Sequence, residues 1–187
     1  SLETLNAKRI KTGDTVLFKA GDVFFGSVHP EILYISDGKI TVSSYGEGPQ
    51  PSICAYKYVE DSWDEYSSHI YRIDILDENN YTGYKDADPR AFNVGFIEDD
   101  NGNKYDHKKH SIDQLTEAYD FYSDGERYLY LRSENNPYEM LGGLKLAVNA
   151  KLFILASNMD ISGLRFAYTG GDALQNGGDA GQKVRVS

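Results

Sequence analysis

The chain has 187 residues, enough for one ordinary domain or for a few coils of a repeating structure with inserted loops, and too few for two full-sized domains. Hydrophobic residues at 40% and charged residues at 26% exclude a disordered chain, and no apolar run reaches membrane-spanning length. The net charge of −10 argues against a nucleic-acid partner, which needs a Lys- and Arg-rich surface to displace counterions from phosphates.

The charge is unevenly placed: residues 1–59 hold six acids and six bases, 60–106 thirteen acids and four bases, and 107–187 ten acids and nine bases. That shift predicts an acidic insertion at about 60–106 within a single domain spanning 1–187. The lone cysteine, Cys54, allows no intrachain disulfide and so says nothing of the redox compartment. The abrupt start at Ser1-Leu2 is expected of a trimmed chain, which leaves a secretory leader open.

In chain order, short β-branched and aromatic runs bounded by Gly-Asp or Asp-Gly predict strands at Thr15–Phe18, Ile32–Ile35 and Ile40–Ser44, with a tight turn at Asp37-Gly38. Further strands are predicted at Ile70–Ile75 and Phe92–Ile97, and Asn101-Gly102 predicts a type I′ hairpin turn. Ser111–Ala118 is the predicted short helix, with Ser111 as its cap and Gln114 completing a capping box. From Phe121 the strand pattern returns: Tyr128–Arg132, Leu144–Val148, Leu152–Leu155, Met159–Ser162, Leu164–Tyr168 and Lys183–Val186. Leu144, Leu146, Val148, Ile161, Leu164 and Phe166 are predicted to line one interior of stacked parallel strands. Short strands with small polar turns suit a solenoid, in which each coil buries its inward side chains on the next. A β-sandwich gives a similar strand count, so periodicity alone leaves both open.

Four blocks carry a family resemblance. Lys11–Asp22 followed by Phe25-Gly26-Ser27 resembles the opening segment of pectate-lyase-like β-helix proteins, in which a Gly-Asp turn leads into the first stacked strand. Ile40–Pro49 resembles the following coil, Asp120-Phe121-Tyr122 with Asp124, Tyr128–Leu131 and Asn136-Pro137 resembles a segment common in carbohydrate-active bacterial members, and Ile161–Phe166 with Tyr168–Gly171 resembles regular coils. The resemblance implies an all-β fold: the N-terminal, incomplete coils of a right-handed parallel β-helix with an irregular inserted cap at about 50–140 that contains a short helix. It implies the N-terminal part of an extracellular or periplasmic polysaccharide-acting protein, a lyase or glycoside hydrolase, or else a non-catalytic carbohydrate-binding or adhesion module. Polysaccharide is then the partner, with neither nucleic acid nor membrane. Catalytic groups in such proteins project from middle coils, so cleavage is not expected of these coils alone.

No catalytic residue stands out, because abundant carboxylates are not a pair fixed across one bond. No cofactor site is identified, although the resemblance admits calcium in a full-length protein. Glu98–Asn103 lacks the ligand order of a calcium loop and reads as a solvated hairpin tip, and His107 with His110 lacks further zinc ligands nearby. Aromatics are the most suggestive feature. Trp63, in an acidic loop, and Tyr128 and Tyr130, on one face of their strand, are substrate-binding candidates that could stack on sugar rings, or equally could stabilise strands and fill cores. Arg165, outward by alternation, and Asp172 in the next turn complete the candidates as rim residues of a sugar cleft or as plain surface groups.

Overall fold

The computed structural model describes residues 1–33, 38–61, 63–85, 93–177 and 184–187. The chain divides into two compact units, one made of Ser1–Cys54, Lys151–Ala167 and Asp172–Ser187, the other of Ala55–Ala150 and Tyr168–Gly171. The second unit is a wider span than the acidic segment at 60–106. No helix among the described residues is long and apolar enough to cross a membrane.

The first unit opens with a short helix α1 (Leu2–Asn6), capped by Ser1, and then runs through β1 (Arg9–Lys11), β2 (Thr15–Lys19), β3 (Val23–Phe25), β4 (Glu31–Leu33), β5 (Ile40–Tyr45) and β6 (Ser52–Cys54). Each later strand pairs in parallel with the one three places before it: Ile10 with Ile32, Val16 with Val42, Phe24 with Ile53. Between them the chain turns at glycines such as Gly13, whose φ of +96° only glycine adopts without strain. Phe18, Ile40, Val42 and Ile53 are buried. Each such side chain contributes about 1.5–3 kcal/mol on leaving water.

The second unit is built differently. Its strands are β7 (Tyr56–Val59), β8 (Asp64–Ser67), β9 (Ile70–Asp74), β10 (Thr82–Gly83), β11 (Val94–Asp99), β12 (Lys104–Tyr105), β13 (Phe121–Ser123), β14 (Tyr128–Arg132) and, after a helix α2 (Pro137–Leu141), β15 (Leu144–Val148). They form two antiparallel sheets, ordered β10-β7-β15-β11-β12 and β13-β14-β9-β8. Alternation sets the buried faces: Val94, Ile97, Leu144, Leu146 and Val148 in the first sheet, and Ile73, Phe121, Leu129 and Leu131 in the second. Cross-links join the sheets, with Lys57 Nζ donating to the Ile75 carbonyl and Val94 N to Ser123 Oγ. The unit's ends meet, since Val148 N donates to Ala55 O at 3.0 Å.

The first unit then resumes with β16 (Phe153–Leu155), β17 (Met159–Ile161), β18 (Arg165–Ala167), β19 (Leu174–Asn176) and β20 (Arg185–Val186). The parallel order is β2-β5-β17-β20 and β3-β6-β18, with β16 beside β19. Ile161 pairs with Val42 and Phe166 with Ile53, so the strands after the second unit stack on those before it. The chain is all-β, and this unit is β-helix-like.

Several sequence expectations are corrected. Leu144–Val148 is antiparallel, between β7 and β11, so Leu144, Leu146 and Val148 do not share an interior with Ile161. Ser111–Ala118 is not a helix: a 3-10 turn covers Ile112–Gln114, Ser111 makes no side-chain cap, and Gln114 Oε1 instead accepts from His110 N. The helix cannot extend because Asp120 Oδ2 takes the N–H groups of Thr116 and Glu117. The helix that does form, α2, has Asn136 as N-cap and Pro137 in its first turn, a signal present in the sequence and passed over. At Asn101-Gly102 only Gly102 has positive φ, +81°, and Gly102 N bonds Asp99 O, which gives a type I turn closed by glycine and not a type I′ turn. Asp37, Phe92, Gly178 and Lys183 lie outside the described residues.

Three carboxylates of the second unit are buried. Glu98 accepts from Lys145 and the Tyr168 hydroxyl, Asp99 from Asn101 N, Asn103 N, Asn103 Nδ2 and Tyr105, and Asp120 from two backbone N–H groups beside Lys109. The hairpin tip is therefore internally bonded at Asp99 and not simply solvated. Burial alone would raise all three carboxyls; the donors outweigh it and hold them below the usual carboxylate range. Groups with lowered folded values stabilise above the unfolded carboxylate value of about 4 and lose that contribution as pH falls through the folded value. The urea midpoint should therefore be level near neutrality and fall below about pH 4. Asp120→Asn should cost about 1–3 kcal/mol at pH 7 and flatten the acid limb, as read from urea titrations at several pH values.

Candidate functional site

One sheet face of the second unit gathers tyrosines. On β14 the side chains of Leu129 and Leu131 go to the core, which leaves Tyr128, Tyr130 and Arg132 on the other face by strand alternation. Register then brings Tyr122 of β13 and Arg72 of β9 to either side of Tyr130. Tyr122 lies over Tyr130 at 6.0 Å with the rings tilted by 23°, Tyr66 meets Tyr130 edge-on at 5.1 Å, and Tyr128 is 6.2 Å away. The Arg72 guanidinium sits 4.8 Å from the Tyr128 ring and 5.5 Å from Tyr66, within cation–π range. Tyr66 reaches the surface because the pairing of β8 with β9 shifts register between Glu65 and Ser67, which turns it out to 47% exposure.

The face is a graded platform. Tyr130 is its floor, at 7% exposure, and burial pushes its phenol up while the Arg72 guanidinium pulls it back. Tyr122 and Tyr128 are half-buried around it. Arg72 Nε is buried and without a hydrogen bond among the described residues. Asp74 holds the rim: its Oδ2 accepts from Arg127 Nε at 2.8 Å, placing that guanidinium 5.6 Å from Tyr128. Burial would raise the Asp74 carboxyl, but Arg127 and the Leu76 and Asp77 N–H groups bring it below its ordinary value.

Tyr122 also lines a groove of about 660 Å³, with Asn93, Lys108, Lys109, His110, Asp124 and Asn149 among its other walls. That volume lies within the range of small-molecule sites. Its polar groups are held in place: Lys108 Nζ donates to Val94 O at 2.7 Å and to Asn93 Oδ1, and Lys109 Nζ lies 3.1 Å from Asp120. Burial pulls the Lys108 ammonium down. Asp124 Oδ1 accepts from the N–H groups of Glu126, Arg127 and Tyr128, which fixes the carboxylate in the groove wall. Aromatic faces beside hydroxyl-binding donors and acceptors suit a sugar chain. Hydrolysis of a glycosidic bond needs two carboxyls across it, and Asp124 is the one carboxylate in the groove wall among the described residues.

The residues singled out from the sequence fall apart in space. Tyr128 and Tyr130 are together on the platform. Trp63 is not a stacking surface: it is 4% exposed, and its backbone is clamped by Asn136, whose Oδ1 accepts from Trp63 N while Nδ2 donates to Trp63 O. Arg165 and Asp172 belong to the first unit; Arg165 is exposed on β18, and Asp172 is exposed with its carbonyl accepting from Leu152 N. Tyr66, Arg72 and Tyr122 were missed, because only the register of β8, β9 and β13 on β14 brings them beside Tyr130. Cys54 is buried, and burial pushes its thiol to about 11, against Arg165. His107 Nδ1 lies 4.0 Å from Asp120, and no group of three or more His, Cys, Asp or Glu among the described residues could hold a metal ion.

No protein-family model matches the chain, and no curated protein matches it. Among solved structures it is similar to a complex of XylC with xylose, at a TM-score of 0.58 and 14% sequence identity over 87% of this chain. The chain spans 31% of that structure's length. At this identity the likeness is one of fold.

Proposed function

We propose that the chain is the N-terminal part of an extracellular or periplasmic polysaccharide-acting protein, that its first unit forms the opening coils of a right-handed parallel β-helix, and that its second unit is an insertion that grips the glycan. The observation that carries this reading is the tyrosine platform with Arg72, continuous through Tyr122 with a polar groove. Right-handed coiling is what parallel crossover connections almost always adopt. The bound xylose of the XylC structure supports sugar as the ligand class, and a xylan-type chain is the first to test. With Asp124 the one groove carboxylate among the described residues, binding is favoured over cleavage for these residues, which keeps a non-catalytic carbohydrate-binding or adhesion module as the second reading. For an enzyme, a lyase or glycoside hydrolase, the reacting groups would lie outside this chain.

Xylohexaose should bind with an affinity that Tyr66→Ala and Tyr128→Ala each weaken about threefold to tenfold, the equivalent of one aromatic contact of about 0.5–1.5 kcal/mol. Trp63→Phe and Arg165→Ala should leave it unchanged. Calorimetric titration with unfolding curves of each variant checks this, and equal affinity across all four variants would remove the platform from the account. The chain alone should release neither reducing ends nor unsaturated products from a panel of acidic and neutral polysaccharides. Turnover lost in Arg165→Ala or Asp172→Ala would instead place a complete site in the first unit.

A further inference from the structure

The Arg127 side chain is 54% exposed, yet the residue is pinned along its whole length. Its N–H donates to Asp124 Oδ1 at 2.8 Å, its carbonyl accepts from Ile75 N at 2.9 Å, and its guanidinium meets Asp74 Oδ2 through both Nε and Nη2. Asp74 is itself fixed: it stands directly across the β9–β14 ladder from Tyr128, and its Oδ1 accepts from Leu76 N and Asp77 N. An ion pair on an exposed surface adds little to stability. Its consequence here is geometric, because it removes the rotamer freedom that a surface arginine otherwise keeps.

The guanidinium held in this way lies at the edge of the tyrosine platform. Of the two guanidiniums in cation–π range of Tyr128, that of Arg72 at 4.8 Å has its Nε buried, whereas that of Arg127 at 5.6 Å stands open to solvent. Asp74 takes one N–H from Nε and one from Nη2, and the other guanidinium N–H groups make no hydrogen bond among the described residues. A pyranose carries its hydroxyls around the ring edge, so one laid against Tyr128 brings hydroxyl oxygens beside this row of fixed donors. A planar fork can serve two neighbouring oxygens at once, a geometry that a lysine ammonium does not reproduce.

We propose that Arg127 is a specificity-determining residue of the platform, donating from its free guanidinium edge to two neighbouring hydroxyls of the sugar that rests on Tyr128, and that Asp74 is its positioning residue. The inference rests on the glycan reading given above and deepens it: the sugar at that position is one with two adjacent, unsubstituted hydroxyls. Because Asp74 orients the fork before ligand arrives, binding does not have to order a long side chain.

The test is calorimetric titration of the full chain with xylohexaose and with O-acetylated xylohexaose, alongside unfolding curves of each variant. Arg127→Ala and Arg127→Lys should each weaken xylohexaose binding about threefold to tenfold and narrow the preference over the acetylated form. Asp74→Asn keeps an acceptor for Leu76 N and Asp77 N but loses the charge that holds Arg127, and should weaken binding about threefold. That loss should vanish when Asp74→Asn is made in the Arg127→Ala chain, since a positioning residue acts only through the group it positions. A loss that persists there would make Asp74 a structural residue and overturn its assignment. Should Arg127→Ala fail to fold, Arg127→Lys decides. Tyr66→Ala weakening binding while both Arg127 variants bind like the parent chain overturns the inference and leaves the platform standing. If Tyr66→Ala is also without effect, the glycan reading fails with it.

Discussion

Everything else in the fold depends on one closure: Val148 N bonded to Ala55 O, with Ala147 paired to Tyr56, ties the two ends of the second unit together. A chain that leaves a strand stack at Cys54 and resumes it at Lys151 must return to where it left. An unstructured excursion of that length would raise the entropy of bringing β17 onto β5. By closing its own ends through the β7–β15 ladder, the inserted unit reduces that cost, and Met159, Asp160 and Ile161 meet Ile40, Thr41 and Val42 in register. The same closure lets one chain carry two strand chemistries, parallel in the first unit and antiparallel in the second.

Within the second unit, β14 divides its labour by alternation. Leu129 and Leu131 anchor the strand in the core, and the alternate positions Tyr128, Tyr130 and Arg132 lie on its opposite face. Because core burial fixes the register, it also fixes what stands beside Tyr130, so the platform is rigid for the same reason that the sheet is stable. The buried acids serve the structure. Asp120 restrains the 116–117 turn and the Lys109 ammonium, and Asp99 closes the β11–β12 hairpin.

Much of this was legible in the sequence. The Gly-Asp punctuation around Thr15–Phe18 and Ile40–Ser44 marks strands that do pair in parallel, and the alternation of Tyr128–Arg132 places its tyrosines opposite its leucines. What failed is what sequence spacing does not encode. Leu144–Val148 has the same alternation whether its neighbours run parallel or antiparallel, so its pairing with β7 and β11 could not be read from it. Trp63 looked available because its neighbours are acidic, yet a partner far along the chain, Asn136, draws its backbone in. The acidic composition of 60–106 registers only the more charged part of the unit, whose closing strand β15 is largely apolar. Arg72 and Tyr66 became visible only through cross-strand register.

The claim at the centre of this account is that glycan is held on the Tyr66, Tyr122, Tyr128 and Tyr130 face. A crystal structure of the chain grown with xylohexaose tests it most directly. The account predicts sugar rings against Tyr66 and Tyr128, with the chain running past Tyr122 into the groove beside Asp124. Sugar resting instead on Arg165 and Asp172, with the tyrosine face bare at saturating ligand, would contradict it.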